Sequence, residues 1–299
     1  MTERTDIYQR ITDQIIQAIE SGAGKWTMPW HQSCGVPANA TTQKRYRGVN
    51  ILNLWAIAVN KSYNSALWAT YSQWDSIGAQ VRKGEKASFV VFWKFFDHEQ
   101  QDDGDHNDQQ GATTTRRGPM ARCYPVFNAD QVDGFQPPSP PDPLTDERNQ
   151  NAEAFFANTG AIVRHGGDQA FYSPATDHIQ MPPFEAFHSV ESYYSTLAHE
   201  AIHFSGAPHR LNRDIRNRFG SEAYAAEELI ADLGSAFVCA DLGLASEPRP
   251  DHAAYLQHWL AVLKSDRRAI FTAASHAQRA VDFLHSLQPR QQIHESSAA

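Results

Sequence analysis

The chain has 299 residues, long enough for two domains of ordinary size that each bury a core, and it is 41% hydrophobic at a mean hydropathy of −0.54. No run approaches the roughly 18 apolar residues of a membrane helix, and the cysteines Cys34, Cys123 and Cys239 lie far apart with no CxxC pair, which indicates neither a disulfide framework nor a cysteine metal site; a soluble cytoplasmic protein is expected. The net charge of −8 is unevenly spread: residues 1–98 carry 11 Lys+Arg against 7 Asp+Glu, and residues 99–153 carry 4 against 11, so only the front part suits an anionic partner.

After a short polar start, Ile7, Ile11, Ile15 and Ile19 recur every four residues, which predicts an amphipathic helix and not a signal peptide. Residues 25–30 (KWTMPW) and 37–42 read as loops, Val49 to Val59 as a second helix, and Trp68 to Ile77 as a short third one. Residues 81–86 (VRKGEK) turn into a strand over Ala87 to Phe96, rich in Phe and Val. His98 to Gly118 is almost wholly polar and reads as a mobile hairpin tip, before a further strand over Ala121 to Phe127. The proline run from Gln136 to Pro143 is an extended linker, because proline fixes φ and forbids helix. The expected organisation is a mixed α/β front domain (1–135, with the polar insert at about 98–118), a linker (136–146) and a rear domain (147–299). In the rear domain a helix over Glu147 to Gly160 precedes short strands at 162–164, 170–172 and 178–181. Helices then follow at Tyr193 to Phe204, Ser221 to Leu242, about 252–263 and about 267–287, an α+β layout.

Residues 199–203 read His199-Glu200-Ala201-Ile202-His203, an HExxH motif in a stretch without helix breakers. Positions i and i+4 share a helix face, so both imidazoles can grip one Zn²⁺ with Glu200 beside the attacking water. A catalytic zinc takes three protein ligands and keeps one open position. Glu228, on the next long helix, competes for the third place with His209, which completes HExxHxxGxxH but is followed by no methionine, and with Glu227. Asp232, one turn beyond Glu228, is placed to accept a proton from a ligand histidine, and the small Ala231 and Ser235 would let the two helices approach closely. The competing reading of this helix is a solvated acidic face. Tyr172 and Tyr224 are candidate oxyanion donors or structural groups, and His178 to Met181 is a candidate edge for a peptide substrate to extend.

Six of the seven tryptophans lie before residue 98, interleaved with cations. Aromatic faces stack on unpaired bases while cations follow the backbone. Trp55, Trp68, Phe89 and Trp93 sit in apolar patterns and read as core, whereas Trp30, Lys44, Arg45, Tyr46, Arg47, Arg82, Lys83 and Lys86 read as exposed candidates for nucleic-acid contact.

Several ordered segments (WTMPW at 26–30, YRGVNILNLW at 46–55, VRKGEK at 81–86, VFN at 126–128, YSPATD at 172–177, TLA at 196–198 leading into HExxH, and 224–232) resemble the ArdC antirestriction family of conjugative plasmids, whose front domain is shared with TraC-type plasmid primases. The resemblance implies a front domain that binds single-stranded DNA and a rear zincin-like metallopeptidase domain similar to SprT-type proteases. It implies a divalent ion, Zn²⁺ or another such as Mn²⁺, held by His199, His203 and Glu228, with Glu200 as the catalytic carboxylate. The implied role is protection of incoming plasmid DNA from restriction, either with proteolysis or as a DNA-binding shield whose metal fold is structural. Asp232 stands where the family usually has Glu, and the insert at 98–118 is longer than expected.

Overall fold

The computed structural model describes residues 6–22, 35–94, 120–136, 145–213, 222–244 and 252–289. Trp26, Trp30, the polar insert at 98–118 and the proline-rich boundary at 137–144 lie outside the described residues. Two helices and a sheet dominate the front part: α1 (Ile7–Gly22) and α2 (Val49–Lys61), with short strands β1 (Ala38–Asn39) and β2 (Leu67–Ala69). There follow α3 (Tyr71–Ser76), β3 (Gln80–Val81), β4 (Ser88–Lys94), β5 (Met120–Asn128) and β6 (Val132–Asp133). The rear part runs α4 (Thr145–Asn158), β7 (Ile162–His165), β8 (Phe171–Ser173), β9 (His178–Met181), α5 (Val190–Ser205), α6 (Glu222–Leu242), α7 (His252–Ser265) and α8 (Ala269–Ser286). Mixed helix and strand in two parts is the α+β class expected.

The third helix, expected from Trp68, starts at Tyr71. Residues 67–69 are strand β2, paired antiparallel to β5, and Thr70 then opens α3 as its N-cap in a reciprocal capping box with Gln73. The front sheet has the order β1-β2-β5-β4, with a separate two-stranded β3-β6 ribbon. Asn50 ties α2 to this sheet: its side chain donates to the Val91 carbonyl and accepts from the Val91 N–H, both at 2.8 Å. An edge strand thus gains ladder partners from a helix.

α2 is buried along Val49 to Ala58, almost all round. A helix apolar on every side needs cover on every side. β4 lies against it, as do α1 and, from the rear part, α8. The two parts therefore do not have separate cores as the chain length suggests: front residues Ile11, Ile15, Ile19, Leu54 and Trp55 share one buried cluster with rear residues Leu233, Phe237 and Ile270. The rings of Trp55 and Phe237 lie 5.8 Å apart across this junction. A smaller cluster around Trp74, Ala69, Val81 and Val132 closes the front sheet's other end.

The metal-site helices α5 and α6 pack at a point that no sequence pattern singles out. A Cβ on Gly234 would stand 2.7 and 2.8 Å from Ile202 Cδ1 and Cγ1 and 3.2 Å from its Cγ2. Ile202 is fully buried and stiff at its branched Cβ, so it cannot swing away. Overpacking of this kind costs about 1–3 kcal/mol, against roughly 1 kcal/mol of helix propensity gained. We expect Gly234→Ala to lower unfolding free energy by about 1–2 kcal/mol in denaturant titration, and Ile202→Val in the same chain to recover part of the deficit.

Candidate metal centre

α5 begins at the Ser189 N-cap, whose side chain accepts from the Ser192 N–H, and runs unbroken through the HExxH motif. His199 and Glu200 are each 2% exposed. Facing them on α6, residues 227–239 are buried without interruption, which removes the solvated acidic face as a reading: Glu227, Glu228 and Asp232 are 6%, 7% and 3% exposed.

The fold brings His199, His203 and Glu228 together, with one donor atom from each within 4.8 Å of the others. The two Nε2 atoms lie 3.1 Å apart; Glu228 Oε2 is 3.3 Å from His199 Nε2 and Oε1 is 3.5 Å from His203 Nε2. A tetrahedral ion with ligand bonds of about 2.0–2.1 Å spans edges of about 3.3 Å. The donor spacing and the concentration of buried carboxylates, costly without a balancing cation, both fit a divalent metal. His209 is not in this group. It is 62% exposed at its side chain and 3.3 Å from Asp177.

Glu227 has a different place from its neighbour. Its Oε1 lies 3.2 Å from His203 Nδ1, the ring nitrogen turned away from the donor cluster. Arg213 holds that carboxylate, donating from Nη2 at 2.8 Å and from Nε at 3.1 Å. The same guanidinium donates to the Ile202 carbonyl and the Ser205 hydroxyl, so it also satisfies the last turn of α5. In the sequence Arg213 is one cation of a basic loop, and no local signal marks it for this place. Asp232 is buried one turn beyond Glu228. Close helix approach is marked by Ser235, whose hydroxyl donates to the Ser195 carbonyl at 3.0 Å.

Glu200 Oε2 accepts the Tyr172 backbone N–H at 2.8 Å, which ties the motif's carboxylate to strand β8. The Tyr172 hydroxyl donates to Asp177 at 2.8 Å, and Arg210 clamps Asp177 through both oxygens at 2.8 and 2.9 Å. Tyr172 is thereby a structural group, turned to its own loop. Tyr224 is half-buried on α6. The expectation that His178 to Met181 offers an edge is overturned: β9 is the central strand of the order β7-β9-β8, paired on both sides. The edges are β7 and β8.

Burial alone would lower the His203 pKa, but hydrogen bonds to Glu227 and Glu228 outweigh it and push the imidazole up to about 10. Burial likewise raises the two carboxyls, and hydrogen bonds to the histidines, joined at Glu227 by Arg213, hold both below the usual range. His203 is therefore protonated at pH 7 without metal, whereas a ligand imidazole must be neutral. Metal loading should release about one proton, and affinity should rise about tenfold per pH unit across pH 6–8. Calorimetric titration in buffers of different ionisation enthalpy reads the proton count.

The front candidates fall into separate places. Lys44, Arg45, Tyr46 and Arg47 line a groove of about 1180 Å³, while Arg82 and Lys83 line another depression by the β3 turn; Lys86 is exposed. Tyr46 was expected to be exposed and is 7% exposed, because the loop before α2 turns its ring inward. Arg82 is engaged by Glu85 at 3.1 Å and Asp133 at 3.6 Å. Trp55, Trp68 and Trp74 are core, as is half-buried Phe89 under Arg10. Trp93 departs from the core reading: it is 37% exposed, beside Phe92 at 50%.

Among known families, a model described as a zincin-like metallopeptidase matches residues 150–276, and one described as the N-terminal domain of anti-restriction factor ArdC matches residues 5–127. The chain is 51% identical to the uncharacterized protein y4eC of Sinorhizobium fredii, over 99% of this chain and 96% of that one. It is 36% identical to a DNA primase TraC of Escherichia coli over 95% of its own length, spanning 27% of the primase. The Mn(II)-bound crystal structure of the antirestriction ArdC protein from plasmid R388 matches with a TM-score of 0.76 at 40% identity, covering 96% of this chain and all of that one. Its metal-free structure matches with the same TM-score at 41% identity over 94% of this chain and 97% of that one. No helix among the described residues is long and apolar enough to cross a membrane.

Proposed function

The chain belongs to the ArdC antirestriction family, and from that premise we propose that it binds single-stranded DNA with its front domain and cleaves proteins at a Zn²⁺-loaded rear domain. By this means it protects incoming conjugative plasmid DNA from restriction in the cytoplasm. The observation that carries the peptidase reading is the convergence of His199, His203 and Glu228 on one point beside a buried Glu200. We place the front domain at 1–135 and the rear domain at 147–299.

His199, His203 and Glu228 would hold the ion, with Glu227 and Arg213 fixing the His203 ring from behind. Asp232 is proposed to do the same for a ligand histidine from α6. When bound, a divalent cation polarises the scissile carbonyl and acidifies water. Glu200, steadied by the Tyr172 N–H, accepts the proton of the attacking water and delivers it to the leaving amine. Unpaired DNA would be held through Trp30, Lys44, Arg45, Arg47, Arg82, Lys83 and Lys86, cations on phosphate and the Trp30 ring on a base, while Tyr46, buried in the core, supports the loop that carries its basic neighbours.

The test is metal content together with cleavage of casein, with and without oligothymidine, in the purified protein. Metal-dependent cutting that the oligonucleotide stimulates supports the reading. Bound metal with no cutting under any condition shifts it to a DNA shield with a structural metal site.

A further inference from the structure

The groove that carries Lys44, Arg45 and Arg47 is not built by the front part alone. Its opposite wall is helix α8 of the rear part with its N-cap residue Arg268: Arg268, Thr272, Ser275, Arg279 and Asp282 all line it. These positions recur at spacings of four and three, the period that keeps side chains on one helix face. The other face of α8 is core: Ile270, Ala273, Ala277, Val281 and Leu284 are all buried. α8 is thus amphipathic with its polar face turned into the groove. Gly48 locks the two walls together: its N–H donates to Gln278 Oε1 at 3.1 Å, and its φ of 55° suits glycine.

Five cations line the groove against one carboxylate, Asp282. Two of the five are already engaged, Arg45 by Asp241 and Arg47 by Asp282. Lys44, Arg268 and Arg279 have no ion pair among the described residues, and two of these three come from α8 and its N-cap. Aromatic faces are present beside them. Phe92 and Trp93 are exposed from β4, and a run of rings continues across the junction: Trp93 to Tyr8 at 5.7 Å and Tyr8 to Phe271 of α8 at 4.8 Å, with the Arg268 guanidinium 5.0 Å over Tyr8. Cations along a trough with exposed rings at their side are what an unpaired polynucleotide binds, phosphates to the charges and bases to the faces.

Resting on the DNA reading above, we propose that the single-strand site is a composite one, in which α8 of the zincin-like part supplies Arg268 and Arg279 to the phosphates opposite Lys44. The strand then touches the helix that packs directly on α6, the helix of Glu228.

The test is binding of labelled oligothymidine by anisotropy across a salt series. It compares wild type with Lys44→Glu, Arg268→Glu, Arg279→Glu and, as a control of equal charge change, Arg164→Glu on the exposed strand β7 outside the groove. Arg268→Glu and Arg279→Glu are each expected to weaken binding by more than tenfold relative to Arg164→Glu. The log–log salt slope should fall by about 0.7 for each phosphate that a variant no longer neutralises, with metal content unchanged. If Lys44→Glu weakens binding while both α8 variants behave like Arg164→Glu, the composite site is overturned and the front-domain reading stands. If wild type does not bind oligothymidine, both fall. Should a Glu variant fail to fold, Arg268→Ala and Arg279→Ala carry the same comparison.

Discussion

Glu200→Gln is expected to reduce protein cleavage by about 10²–10⁴-fold, the range associated with losing a general base, while metal content and oligothymidine affinity stay at wild-type values. Glutamine keeps the shape of the side chain and can still accept the Tyr172 N–H that fixes it, but it cannot take a proton from water. The proposed metal donors His199, His203 and Glu228 are untouched. The position is 2% exposed, and burying a carboxylate carries a desolvation cost that its hydrogen bond from the Tyr172 N–H offsets in part. The same variant separates the two readings of the family role. If Glu200→Gln abolishes cleavage and plasmid protection together, protection works through proteolysis; protection that survives it identifies a DNA shield.

Removing Glu228 acts on the metal itself. Loss of an outer partner of a ligand histidine costs about 10–100-fold in metal affinity, and loss of a ligand should exceed that, so Glu228→Ala is expected to be purified without stoichiometric metal. Two imidazoles 3.1 Å apart would remain with no anion to share the ion. Glu228, after Glu227, also helps hold the proton on His203, and breaking a buried pair costs about 3–5 kcal/mol. Glu228→Ala should therefore melt earlier even in chelator, and Glu228→Gln, which keeps hydrogen-bonding capacity but loses the charge, should melt between it and wild type. Metal analysis paired with thermal unfolding in excess chelator distinguishes the two effects. Wild-type metal content in Glu228→Ala would pass the third place to another group, Glu227 being the nearest carboxylate in sequence.

The candidate metal cluster was legible because its strongest elements are local. An i, i+4 histidine pair shares a face on any regular helix, and Glu200 between them needs no tertiary contact to be placed. The long helices were legible for the same reason, since period is a short-range property. Strands of two or three residues such as β1, β3 and β6 carry no period, and Trp68 and Ala69 of β2 read as helix because pairing with β5 is non-local. Glu227 and Glu228 are adjacent in sequence with the same chemistry, yet one faces the donor cluster and the other the back of His203; a rotation of about 100° per residue separates them, and only the docking of α6 on α5 says which faces which. Position of β9 in its sheet, burial of Tyr46 and exposure of Trp93 depended likewise on neighbours far along the chain.

By itself, the sequence determined the HExxH helix, the basic and aromatic character of the front part and the α+β order of elements, because each follows from spacing and composition within a few turns or strands. Tertiary structure alone decided the rest: that Arg213 and Glu227 stand behind His203, that Gly234 meets Ile202, and that α8 closes the cationic groove. Those depend on packing between segments tens to hundreds of residues apart, where side-chain volume and the need to cover an all-round apolar helix such as α2 fix the geometry, and no local pattern encodes it.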